Sequence, residues 1–254
     1  MSKPLVLYHD HCQDGFASAW VAQLVFGDNA DYVPVSYGNP PPDVTGRRDV
    51  YILDFSYQID VLSGILNAVD AGSVTVLDHH KTAITDMNLD VADTFGEKYD
   101  VIVPVSITGS VLKIKLNVNK CGARLAWEHF FPEKKCPWII DYVEDRDLWK
   151  WELPRSRQIN AAMASYPFDF ELWSTWAGRD YFSSLKSWLG YKMDDTAISI
   201  GFYKNRLAEE GASILRYLDK LVQSICQQAY PMVINGHKVR VVNTSVLAYR
   251  MLKR

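Results

Sequence analysis

Ser73-Val74-Thr75-Val76-Leu77-Asp78-His79-His80 decides how this chain reads: an apolar, β-branched run of strand length stops abruptly at an acid and two imidazoles. Two runs upstream end the same way. Residues 4–8 read as a buried strand that stops at His9-Asp10-His11, and residues 49–53 (DVYIL) read as a strand that stops at Asp54. Between them, residues 15–26 (GFASAWVAQLVF) and 58–69 carry apolar side chains at helical spacing. Residues 31–37 alternate as a strand, and Pro40-Pro41-Pro42 enforces a loop. Short strands alternating with amphipathic helices specify an α/β fold, a parallel sheet flanked by helices. In such sheets ligands bind beyond the carboxyl ends of the strands. That rule brings His9, Asp54 and Asp78 to one rim.

Working outward, residues 101–105 and 111–116 flank Thr108-Gly109-Ser110 and resemble a hairpin. Residues 122–131 and 137–144 carry helical spacing, and tryptophans at 127, 138, 149, 151, 173, 176 and 188 make this region aromatic-rich, most of them expected in the core. A long helical pattern runs from about 198 to 228. Two short strands joined by Asn235-Gly236, a favoured hairpin turn, form a small C-terminal β piece. The expected division is residues 1–195 as catalytic domain, 196–230 as connecting helix and 231–254 as the truncated start of a substrate-binding domain.

The 254 residues are 48% hydrophobic and 22% charged, a mix that excludes disorder, collagen and coiled coil and supplies core for one large or two modest domains. The net charge of −3 provides no global field for a polyanion, so any phosphate contact is local. Cys12, Cys121, Cys136 and Cys226 form no C-x-x-C pair, which excludes a zinc knuckle. The apolar run at the start is too short for a signal peptide, and none elsewhere approaches the roughly 20 residues of a membrane span. A cytoplasmic protein without a membrane partner is the expectation.

Imidazole nitrogen and carboxylate oxygen are ligands for Mn²⁺, Fe²⁺ and Zn²⁺. A bridging carboxylate such as Asp54 can hold two divalent ions roughly 3.5 to 4 Å apart, with a shared hydroxide as nucleophile for phosphorus. Taken singly, a strand-terminal Asp or His equally serves as a helix cap. Three such rim positions together point to metal.

The arrangement resembles the DHH phosphoesterase family, whose defining tripeptide is matched by Asp78-His79-His80. His9 to Phe16 (HDHCQDGF) is similar to the family's first motif, residues 50–54 to its second, and residues 141–149 (DYVEDRDLW) to its fourth. Cys121 to Trp127 (CGARLAW) resembles the helix before that fourth motif. The likeness covers about residues 4–165. It implies a hydrolase, a manganese-dependent phosphodiesterase or nuclease-like enzyme acting on short oligonucleotides or cyclic dinucleotides by attack of a metal-bound hydroxide. Mg²⁺, Co²⁺ or Fe²⁺ are further candidates for the two-metal site. By the same resemblance His9 and Asp14 are metal ligands, Asp54 the bridge, and His79 with Asp145 ligands of the second metal, with Asp147 in reserve. Asp78 binds metal or orients the histidine beside it, and His80 faces the substrate phosphate as hydrogen-bond or proton donor.

Two departures qualify the likeness. Cys12 stands where many relatives carry an aspartate. Either His9 or His11 compensates, or the first site is weakened or takes a softer ion, or Cys12 is a small buried hydrophobe. The family's glycine-rich, histidine-containing substrate motif has no match. The clamp is then absent, supplied by a partner subunit or second copy, or replaced by another lid. Arg146, Lys150, Arg250, Lys253 and Arg254 are candidate phosphate contacts, and Trp149 and Trp151 stack a base or pack in the core. The competing functions are a phosphoanhydride hydrolase acting on polyphosphate or pyrophosphate, and a catalytically weak nucleotide- or protein-binding module.

Overall fold

A computed structural model describes residues 2–86, 98–103, 109–178 and 200–243. They divide into two compact units, one of residues 1–154 and 167–200, the other of 155–166 and 201–254.

The first unit is built on a six-stranded sheet of β1 (Leu5–His9), β2 (Asp31–Val35), β3 (Asp49–Leu53), β4 (Ser73–Asp78), β5 (Lys98–Val103) and β6 (Val111–Asn117). The spatial order is β2-β1-β3-β4-β6-β5. The first five of these run parallel, and β5 pairs antiparallel with β6 at the edge. This is the expected α/β architecture, with β5 and β6 as the expected antiparallel pair. β1 has neighbours on both sides that follow it in the chain, so the strand order reverses at β1/β3. That switch point is where open α/β sheets leave a crevice for ligand.

The central strands β1, β3 and β4 are largely buried on both faces, as a sheet covered by helices on two sides requires. Leu5, Leu7, Val50, Ile52, Val74, Val76, Leu112 and Ile114 point into one core with Leu62, Ile65 and Leu66 of α2 (Ile59–Ala68). The alternate residues of β1, β3 and β4 face the other way, towards α1 (Gln13–Phe26) and α4 (Gly122–Phe130). Trp20 of α1 is fully buried there and meets Trp173 of α7 (Phe170–Ala177) at 6.1 Å between rings. The short α3 (Lys81–Asp86) follows β4, and α5 (Trp138–Asp147) packs near α1 and α4. Trp127, Trp138, Trp173 and Trp176 are core residues, as the aromatic-rich reading expects. Trp149 is not: it is 59% exposed. Trp188 lies outside the described residues.

The second unit contains α6 (Ser156–Met163), the 28-residue α8 (Ile200–Gln227) and a hairpin of β7 (Tyr230–Ile234) and β8 (His237–Val241). A Cβ on Gly211 would meet the Gln158 carbonyl oxygen at 1.7 Å, so glycine is what lets α8 approach the α6 backbone. Asn235 and Gly236, at φ +50° and +80°, make the left-handed two-residue turn that their dipeptide signals. No helix among the described residues is long and apolar enough to cross a membrane.

Candidate metal centre

Because β1, β3 and β4 run parallel, their ends deliver His9, Asp54, Asp78, His79 and His80 to one edge of the sheet. The local backbone is shaped for this. Asp54 is wholly buried and sits at φ +64°, a left-handed conformation that few non-glycine residues adopt and that concentrates at functional sites. Two glycines allow the close approach. A Cβ on Gly15 would meet the His9 carbonyl oxygen at 2.2 Å, and one on Gly122 would meet both Cβ and Oδ1 of Asp54 at 2.7 Å.

Asp14, in the first turn of α1, accepts the Gly122 amide at 2.6 Å and the Ala123 amide at 2.9 Å. It therefore caps α4 from 108 residues away, and the positive end of that helix offsets part of the charge gathered at the rim. His79 Nε2 lies 3.2 Å from Asp54 Oδ1, 3.3 Å from Asp147 Oδ2 and 3.7 Å from Asp14 Oδ2. His9 Nδ1 lies 3.5 Å from Asp54 Oδ2. Yet His9 Nδ1, His79 Nε2 and both Asp54 oxygens are buried without an aligned hydrogen bond. Converging nitrogen and oxygen lone pairs left unsatisfied in the interior are what a cation would occupy.

The donors fall into groups whose ligand atoms all lie within 4.8 Å of one another: His9, Cys12 and Asp54; Asp14, His79 and Asp147; and Asp54, His79 and His80. Asp54 thus reaches both histidines, one from each oxygen. The donor atoms in these groups are of the kind that could hold a divalent cation.

Asp145, the sequence's preferred ligand for the second metal, does not join the cluster; Asp147 does. Two residues apart on α5 are about 200° apart around the helix axis, so only one of them faces the rim. Asp145 turns inward, its Oδ1 accepting the Glu152 amide at 2.8 Å and the Leu153 amide at 3.4 Å. Its carbonyl accepts the amides of Lys150 and Trp151. It therefore folds the loop after α5. Asp78 likewise takes the orienting alternative: its Oδ1 accepts the His79 amide at 2.7 Å, the His80 amide at 3.2 Å and the His80 Nδ1 proton at 2.8 Å. Of the other acids in the fourth segment, Asp141 and Glu144 are engaged by Arg124. His11 pairs with Asp10 and its side chain is 83% exposed, so it does not make up for Cys12.

The electrostatics follow from this crowding. Burial raises the pKa of Asp14, and Asp54 and Asp147 raise it further by like-charge repulsion. Burial also opposes ionisation of Asp54, but His79 and His9 beside it win and hold its carboxyl below the ordinary range. Burial would lower the pKa of His80, whereas the Asp78 hydrogen bond and charge lift it to about 9. Burial, then Asp54 and Asp14, push the Cys12 thiol up.

An aromatic ring borders the site. Tyr37, 57% exposed, stands 4.7 Å from the His9 ring and 6.2 Å from that of His80. Its loop is tied to the end of β1 by Ser36 Oγ donating to Asp10 Oδ2 at 3.1 Å. Sequence reasoning missed Tyr37, although it follows β2, another parallel strand that ends on this rim. Trp149, at φ +58°, packs edge-on to Trp151 at φ +56°, two residues beyond Asp147. Arg146 donates to Gln13 Oε1 at the start of α1, and Lys150 lies 3.8 Å from Glu144. Arg250, Lys253 and Arg254 lie outside the described residues.

Fold and site together define a doubly wound α/β protein with a carboxylate–histidine cluster at its switch point. No family profile and no solved structure matches the chain. It is similar to the uncharacterized protein R106 of Acanthamoeba polyphaga mimivirus, 30% identical over an alignment of 186 residues that covers 67% of this chain. The match spans only 39% of that viral protein's length.

Proposed function

We propose that the chain is a divalent-metal-dependent phosphoesterase of the DHH type that hydrolyses phosphodiester bonds in short oligonucleotides or cyclic dinucleotides. The observation that carries this reading is the buried Asp54 carboxylate set between two histidines, its oxygens without hydrogen-bond partners. His9, Cys12 and Asp54 would hold one ion, and Asp54, Asp14, His79 and Asp147 the other. When bound, such ions polarise a phosphoryl oxygen and activate water. The chain's own part is positioning and proton transfer. Asp78 fixes the His80 ring and keeps it protonated, which suits donation to a departing oxygen. Tyr37, exposed beside His9 and His80, offers a ring face for a nucleobase, which favours a nucleotide substrate over the phosphoanhydride alternative.

Release of mononucleotide from a dinucleotide with Mn²⁺, set against phosphate release from polyphosphate, tests the reading. Dinucleotide cleavage is expected, and Asp54→Asn is expected to lower it by about a thousandfold or more, since several kcal/mol of charge stabilisation is withdrawn. Activity on polyphosphate alone would overturn the substrate class. Retention of most activity by Asp54→Asn would overturn the two-ion assignment.

A further inference from the structure

We propose that the two halves of the cluster select different ions. His9, Cys12 and Asp54 form a nitrogen, sulfur and oxygen pocket for a borderline or soft divalent ion such as Zn²⁺, Fe²⁺ or Co²⁺. Asp14, His79 and Asp147 form a neighbouring pocket of one imidazole and two carboxylates that suits Mn²⁺ or Mg²⁺. This rests on reading the cluster as a metal centre, and adds that its halves are chemically unequal.

The sulfur does not stand alone. Cys12 Sγ lies within 4.8 Å of a histidine nitrogen and a carboxylate oxygen. That carboxylate, Asp54, is wholly buried with neither oxygen in an aligned hydrogen bond, and His9 Nδ1 is buried without an aligned one as well. A cysteine serving only as apolar filler gains nothing from such company. It belongs among aliphatic side chains, and its neighbours here are an imidazole and a carboxylate.

Among the described residues the second group of donors contains no sulfur. Cys121 uses its Sγ to accept the Arg124 amide at 3.4 Å as the cap of α4, and joins none of the donor groups. His11, the alternative nitrogen donor next to Cys12, is turned to solvent against Asp10. Cys12 is therefore the third donor of its pocket. Raw affinity ranks Zn²⁺ above Mn²⁺ at any nitrogen and oxygen site, so the sulfur acts through the difference between pockets. It widens the gap in one and leaves the other as carboxylates make it.

The chelator-treated chain titrated with Co²⁺ under reducing conditions tests this, because sulfur ligation produces a near-ultraviolet charge-transfer band that nitrogen and oxygen ligands do not. The wild type is expected to show the band. Cys12→Ser is expected to lose it while keeping the visible ligand-field absorption of Co²⁺ in the second pocket, which also reports that the variant folds. Cys12→Asp is expected to raise Mn²⁺ affinity in calorimetry by at least the roughly tenfold produced when even outer-shell partners are changed. Visible Co²⁺ absorption with no charge-transfer band, or a band that survives in Cys12→Ser, would overturn the inference and leave the metal centre standing. Failure to bind Co²⁺ at all would overturn both.

Discussion

Gly122→Ala isolates the contact on which the cluster depends. The added methyl would fall 2.7 Å from both Cβ and Oδ1 of Asp54 and 3.0 Å from its Cα. Optimal carbon contacts lie near 3.5 to 4.0 Å, so the overlap is about 1 Å. Neither side can move freely: Asp54 is fully buried at φ +64°, with its amide bonded to the Leu77 carbonyl, and Gly122 is tied to Asp14 by its own N–H. Helix propensity argues the opposite way, since alanine is preferred to glycine by about 1 kcal/mol in a helix. Overpacking of a fixed site costs about 1 to 3 kcal/mol, and a displacement of about 1 Å in a catalytic constellation costs on the order of a hundredfold in rate. The expected outcome is modest destabilisation in urea titration together with a large loss of Mn²⁺ binding by calorimetry. A variant more stable than the wild type with unaltered Mn²⁺ affinity would refute the claim that the α4 terminus holds Asp54 in place.

Further perturbations separate roles within the site. Asp145→Ala should destabilise the fold by about 1 to 3 kcal/mol, because the amides of Glu152 and Leu153 lose their acceptor, whereas Asp147→Ala should spare stability and weaken metal binding; the reverse pattern in paired denaturation and calorimetry would undo the assignment. In protein kept metal-free, His80 binds its proton more tightly folded, at about 9, than at its ordinary 6.5, so that stabilisation is complete below pH 6.5 and disappears as pH climbs to about 9. Its side chain is 34% exposed, so screening holds the effect to about 1 to 2 kcal/mol; Asp78→Asn keeps an acceptor for the backbone amides and should flatten this slope, and an unchanged slope would count against the pair. Tyr37→Ala should reduce affinity for adenosine monophosphate by about 1 to 3 kcal/mol while leaving ribose 5-phosphate unaffected, and equal losses for both would mean that the ring packs against His9 without touching a base.

Much of the fold was legible locally. The β-branched runs before Asp54 and Asp78 read as strands because side-chain pattern alone distinguishes a doubly covered strand from an amphipathic helix, and β3 matches residues 49–53 without adjustment. The Asn235-Gly236 turn was equally legible, since the dipeptide meets the backbone requirement by itself. The helices α6 and α7 were not singled out. Asp145 and Asp147 are chemically identical and two residues apart, so nothing in their order tells which one faces the rim.

The sequence by itself determined that parallel strands end in ionisable residues, because hydrophobic periodicity and the polar stops that interrupt it are local properties of the chain. Tertiary structure decided which of those residues meet. It put Asp14 on the amides of α4, turned Asp145 inward and Asp147 outward, set Tyr37 over His9, and placed the sulfur of Cys12 beside Asp54. Those relations join segments as far as 108 residues apart, and they arise from helix phase and from glycines that permit close approach.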